Sequence, residues 1–246
     1  MSEAAPAEAG PSPGASRGSP GSALRRIPGE GWLALLGGGE FSFAETAAAD
    51  RAWLEKAAPG TIGFLPAASD SADYGRHFAT YLESVFERQV ETIPIYRARD
   101  ARRAKNCERI AAAPGVYLGG GVTDHLLEAL AGSPAADALV AGLRGGRVVA
   151  AIAAAAQACG QAARSIFGGD PIPGLGWLPG GVVEPNFDPA HDRRLRKLLA
   201  LPTVSWGVGI PAGSAILLGP GTAVEFVGPV FQLRDPEGDL EVLSAS

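Results

Sequence analysis

Cysteine is scarce in this chain: Cys107 and Cys159 are its only two, and their separation fits neither a metal-ligand set nor a disulfide framework. Both read as buried thiols in a reducing, cytoplasmic setting, and neither a metal nor a cofactor is expected. Positive charge is also in deficit, with 21 Lys and Arg against 26 Asp and Glu and a net charge of −5. A protein that follows a phosphate backbone needs clustered Lys and Arg on one face, so nucleic acid is not an expected partner. No apolar run approaches the roughly 20 residues of a membrane-spanning helix, which removes the membrane as a partner. The first 26 residues, MSEAAPAEAGPSPGASRGSPGSALRR, have no apolar core of a secretory signal. Their Pro, Gly, Ser and Ala content reads as a disordered tail over 1–26, followed by one domain over 27–246.

What the chain does have is a full core: 46% hydrophobic and 19% charged residues describe a folded α/β protein of one large domain. Strands are expected at Trp32 to Gly37, Thr61 to Leu65, Glu91 to Tyr96, Gly115 to Gly119 and Arg147 to Ile152. Helical patterns alternate with them at Glu45 to Ala57, Ala72 to Phe86, Arg102 to Ala112, Thr123 to Ala131 and Ala135 to Leu143. Strict alternation implies a doubly wound, mainly parallel sheet with helices on both faces. Beyond Pro173 short strands with Gly and Pro turns surround one helix, for which Asp188 is the cap and Leu195, Leu198 and Leu199 the buried stripe. The runs Ser214 to Leu218, Ala223 to Val227 and Val230 to Leu233 read as an antiparallel extension of the same sheet at its C-terminal end.

In such a sheet a ligand binds at the carboxyl ends of the strands. There the first strand runs into GGGEF, the second into PAASDS, the fourth into GGGVTD and the fifth into an alanine bend. The glycine loops lack the G-x-G-x-x-G spacing of a dinucleotide site. Glycine also lets backbone N–H groups approach an oxyanion, which makes Gly38, Gly39, Gly120 and Gly121 candidate donors; tight turns without a ligand are the plain alternative. At the bend, a nucleophile elbow demands small residues two before and two after the nucleophile. Ala151, Ile152, Ala153, Ala154 and Ala155 keep that spacing, with Ala153 at the nucleophile position and Ala154 as the next backbone donor. Ala153 is therefore expected at a sharp strand-to-helix turn with a strained φ.

Over Trp32 to Leu233 the ordered set LLGGGEF, IGFLPAAS with YGRHFATYL, YLGGGVTDHLLEAL, VVAAIAAAAQA, GLGWLPGGVVEPNF with RRLRKLL, and GVGIPAGSAILLGP resembles the serine peptidases of aspartyl dipeptidase (dipeptidase E) and cyanophycinase, which have a class I glutamine amidotransferase-like fold. The resemblance implies a serine where this chain has Ala153, a histidine of a PHF or QHF segment where it has Asn186, and often an acid where it has Ala212. It implies serine-type exopeptidase activity on Asp-containing dipeptides or cyanophycin-like polymers. A chain lacking nucleophile and base is expected instead to bind, as a monomer or homodimer, a peptide-like or amino-acid ligand or a partner subunit. Two rivals are a relocated serine-type site and a hydrolase using Cys159. Against them, Cys159 falls six residues past the bend and points into packing, and Ser69 and Ser71 suit turn and capping roles. His77, His125 and His191 suit helix surfaces or packing.

Overall fold

Leu33 and Leu35 of the first strand turn to one side of a sheet and Ala34 and Leu36 to the other, and all four are buried. A strand buried on both faces needs a layer on each side, and the computed structural model, which describes residues 24–69 and 71–244, shows both. β1 (Trp32–Leu36) lies parallel to β5 (Val148–Ile152), which continues through β4 (Gly115–Leu118) and β2 (Ile62–Leu65) to β3 (Val90–Thr92). On the other side of β1, β10 (Ala215–Leu218) and β11 (Val224–Val227) add antiparallel strands, completing seven in the order β11-β10-β1-β5-β4-β2-β3.

One face carries α1 (Ala47–Leu54) and α2 (Ala72–Phe86), whose Trp53, Phe78 and Leu82 pack on Ala34, Leu36, Phe64 and Tyr117. Asp50 is buried there and accepts hydrogen bonds from Trp53 Nε1 and Tyr81 Oη, both at 2.9 Å. The opposite face carries α3 (Ala104–Ala112), α4 (Thr123–Leu130), α5 (Pro134–Arg144) and the short α6 (Ala154–Ala158), over Leu33, Leu35, Val116, Leu118 and Val149. The start of α5 was written locally: Ser133 Oγ accepts the Ala136 N–H at 3.2 Å, and Pro134 occupies the first turn. Among the described residues no single helix is long and apolar enough to cross a membrane.

Three expectations change. β3 stops at Thr92 because Pro94 has no N–H to continue a ladder. β12 (Val230–Leu233) does not extend the main sheet but pairs antiparallel with β9 (Trp206–Ile210), in a second sheet of order β13-β12-β9-β8 with β13 (Glu241–Leu243) and β8 (Gly181–Pro185). The turn at Gly228, with φ 66°, redirects the chain after β11. It brings Leu233 into a cluster with Val182, Phe187 and the Leu195, Leu198 and Leu199 stripe of α7 (Arg193–Leu199). A hairpin, β6 (Ala162–Arg164) and β7 (Pro171–Pro173), stands beside it.

The expected tail over 1–26 also ends too late. Residues 1–23 lie outside the described residues, but Leu24 is 4% exposed within the main core. Arg26 is 7% exposed and donates to the carbonyls of Leu218 at 3.0 Å, Gly29 at 2.9 Å, Ile27 at 2.6 Å, and Gly31. A buried leucine and a guanidinium that satisfies carbonyls on β10 and around the entry to β1 put Leu24 and Arg26 inside the domain.

Candidate functional site

Three successive carbonyls at the carboxyl end of β1 hold three loops. Leu36 O accepts the Ala153 N–H at 2.9 Å, Gly37 O the Asn186 N–H at 2.8 Å, and Gly38 O the Gly213 N–H at 3.0 Å. The residues that the resemblance assigns to nucleophile, base and acid therefore hang from one strand end, with exposed Ala212 next to the bonded Gly213. Glycine makes this convergence possible. A Cβ on Gly37 would collide with the Ile210 and Pro211 carbonyl oxygens, and one on Gly38, whose φ is 141°, with the side chain of Asn186.

Ala153 stands between β5 and α6 with φ 50° and ψ −113°, the sharp strained bend expected from the spacing of small residues. Such a conformation costs a non-glycine residue on the order of 1–3 kcal/mol and persists only where neighbours over-determine it. Here the Leu36 bond holds its N–H, and its carbonyl accepts the Gln157 N–H at 3.0 Å. Ala151 and Ala155 are 0% exposed, so the flanks have no room for larger side chains. Ala154 opens α6, where the first N–H groups of a helix lack intrahelical acceptors.

The β4 loop closes on this bend: a Cβ on Gly120 would lie 3.6 Å from the Ala153 methyl. The Gly120 N–H is already engaged, donating to Tyr74 Oη at 3.1 Å. Gly121 (φ 144°) is a packing glycine, since a Cβ there would strike Ala68 O, the same carbonyl that accepts the Val122 N–H at 2.7 Å. Gly39 is half-buried, with φ 114°, and its own Cβ would sit 3.3 Å from Glu45 and Thr46. Ser69 Oγ accepts the Ser71 N–H at 3.1 Å, a turn role ahead of α2.

Asn186 also has positive φ, 48°, and is exposed at the edge of a cleft of about 590 Å³. Glu184, Asp188, His191, Arg193 and Arg194 line the same cleft. His191 Nδ1 pairs with Asp188 Oδ2 at 2.7 Å, and this bond with the Ala190 N–H holds the Asp188 carboxyl below the usual carboxylate range. Glu184 is buried, and Arg164 grips both its oxygens, at 2.8 and 2.9 Å. Gln157 Nε2 reaches the same carboxylate at 3.4 Å while its Oε1 accepts the Thr123 hydroxyl at 3.0 Å. This buried network beneath the bend was missed in the sequence, where its members lie far apart on α4, α6, β6 and β8. The available signals were one polar residue in the alanine run AAAAQA and one acid in the apolar strand GVVEP.

Cys159 is fully buried, its thiol donates to Ala155 O at 3.3 Å, and burial without a compensating charge pushes its pKa far up. It stays a protonated packing residue. His77 is exposed on α2, and His125 faces the ring of Phe167 at 6.1 Å between centroids.

The site is thus a strained bend at the carboxyl end of a central parallel strand in a doubly wound α/β domain. Within it, the model of peptidase family S51 matches residues 33–224, and the chain belongs to that family. The fold is similar to the crystal structure of a peptidase from an acI-B1 Actinobacterium, with TM-score 0.70 and 19% identity over 91% of this chain and 96% of that one. It is similar also to a protein assigned to peptidase E from Listeria monocytogenes EGD-e, with TM-score 0.59 and 16% identity over 80% of this chain and 98% of that one. No curated protein matches the chain.

Proposed function

We propose that this member of peptidase family S51 is a non-catalytic binding protein of the cytoplasm, which holds a peptide-like or amino-acid ligand at the carboxyl edge of its sheet. The observation that carries the reading is Ala153. The strained bend is kept, yet the side chain it presents is a methyl group, which has no lone pair to attack a carbonyl. The Asn186 amide is not basic at neutral pH and could not activate a nucleophile if one were present, and Ala212 supplies no carboxylate to orient a base. Ser69 Oγ takes up the Ser71 N–H in a turn, and the cleft that holds the Asp188 and His191 pair is lined, among the described residues, by no serine, threonine or cysteine that the imidazole could activate.

Binding uses the groups that remain. The start of α6 at Ala154, the loop of Gly38 and Gly39, and the Tyr74 and Gly120 pair surround the bend and suit carbonyl or carboxylate oxygens. The test is a paired measurement on the purified chain with L-aspartyl dipeptides and arginyl-aspartate polymer. Hydrolysis should not exceed the buffer blank, while an aspartyl dipeptide should raise the melting temperature through linkage. Turnover above the blank would contradict the loss of catalysis, and an unmoved melting temperature at millimolar dipeptide would contradict this ligand class.

A further inference from the structure

The Tyr74 ring is held by two aromatic neighbours and a close glycine. Its ring stands edge-on to Phe64 at 5.1 Å and stacks on Phe41 at 6.0 Å with 10° between planes. Gly119 leaves room for it, since a Cβ there would come within 2.9 Å of Tyr74 Cε1 and 2.8 Å of Phe64 Cζ. So fixed, the phenol oxygen accepts the Gly120 N–H at 3.1 Å.

A phenol accepts and donates, and here only the accepting side is used: among the described residues no acceptor takes the Tyr74 proton. Gly120, which the phenol holds, lies against the bend, a Cβ there being 3.6 Å from the Ala153 methyl, and a half-buried O–H beside it costs free energy unless water or a ligand takes it. Burial, with the carboxylates of Glu40 and Asp50 nearby, moves the phenol pKa up to about 12, so the proton stays on across the physiological range. The Gly120 dipole, pointing into the same oxygen, polarises the O–H outward and strengthens any bond it makes.

We propose that Tyr74 is the side chain that recognises the ligand at this rim, taking the Gly120 amide on its oxygen and donating its own hydrogen to a carbonyl or carboxylate oxygen lying over Ala153. The proposal deepens the binding reading and rests on it. The Gly120 amide thereby acts through the phenol rather than directly, and the site selects an oxygen acceptor over an ammonium group.

The test is titration calorimetry with L-aspartyl-L-leucine on the intact chain and on Tyr74→Phe, which keeps the ring and removes only the hydroxyl. The amide signal of Gly120 is followed by NMR in parallel. The dipeptide should bind the variant about tenfold or more weakly. The Gly120 proton should move downfield on dipeptide addition in the unmodified chain and not in the variant. Equal or tighter binding by Tyr74→Phe would overturn the role of Tyr74 while leaving the binding reading intact. A dipeptide that fails to bind the unmodified chain would overturn that reading and this proposal with it. Should the substitution lower the melting temperature and obscure the affinity, an unshifted Gly120 signal in the dipeptide-bound unmodified chain refutes the proposal by itself.

Discussion

The Asn186 side chain lies against the α-carbon of Gly38 so closely that a methyl group on residue 38 would overlap its Oδ1. Two loops distant in sequence thus meet at one atom's width, and both depart from ordinary backbone to do so, with φ 141° at Gly38 and 48° at Asn186. The contact accounts for the glycine run after β1 by packing, with no appeal to a nucleotide.

Gly38→Ala should therefore displace Asn186 and strain the loop, lowering stability by about 1–3 kcal/mol. Adding Asn186→Gly should recover the steric part and leave the φ penalty. Urea melts of the single and double variants check both. A Gly38→Ala protein as stable as the parent would remove the close approach.

Ala153→Gly should stabilise the protein or leave it unchanged. Relief of a φ of 50° in a non-glycine residue, on the order of 1–3 kcal/mol, outweighs or balances the roughly 0.5–1 kcal/mol of added chain entropy in the unfolded state. A loss of more than about 1 kcal/mol in a denaturant melt would mean that the bend is not strained.

These two sites show what was legible in the sequence. The bend could be placed because small residues at fixed spacing are a steric demand of the local backbone, and β1, β2, β4 and β5 because apolar runs of that length have few other uses. The tertiary contacts were not legible. β8 and β9 read only as short strands among Gly and Pro turns, and nothing in GGVVEP or WGVGI names their partner sheet, which is set by the packing of α7 and Phe187 over them. β12 has an ordinary strand pattern that suits either sheet, and the turn at Gly228 decides between them. The hydrogen bond between Tyr74 and Gly120 joins residues 46 positions apart and leaves no periodic trace.

Removing residues 1–26 should cost about 2–4 kcal/mol, because Leu24 vacates the core and the carbonyls bound by Arg26 lose their donor. Arg26→Ala alone should reproduce a good part of the loss. Thermal melts of the two variants against the parent decide; an unchanged midpoint for the truncated chain would contradict the packing of Leu24 and Arg26.

Asp50 gives the protein a pH dependence of definite sign. Burial raises its carboxyl pKa above the ordinary value of 3.8, against the opposing bonds from Trp53 and Tyr81. The folded state then binds the Asp50 proton more tightly than the unfolded chain, so this residue's contribution to stability falls as pH rises from 3.8 through the raised folded value. Asp50→Asn should remove that component. Subtracting the two stability curves between pH 4 and 8 should leave a difference that declines with pH in the parent, and a flat or rising difference would contradict the burial of a strained carboxylate.

On the proposed reading the bend has the shape of a nucleophile site without its chemistry, and fluorophosphonate labelling read by mass spectrometry puts this to the test. The unmodified chain should take no adduct on any serine, and Ala153→Ser alone should take none, having no base beside it. Ala153→Ser with Asn186→His is the smallest change that should gain an adduct, mapped to position 153, and an acid introduced at position 212 should speed it. An adduct on Ser69 or another serine of the unmodified chain, accompanied by hydrolysis of an aspartyl dipeptide, would contradict the account and place a working active site elsewhere on the molecule.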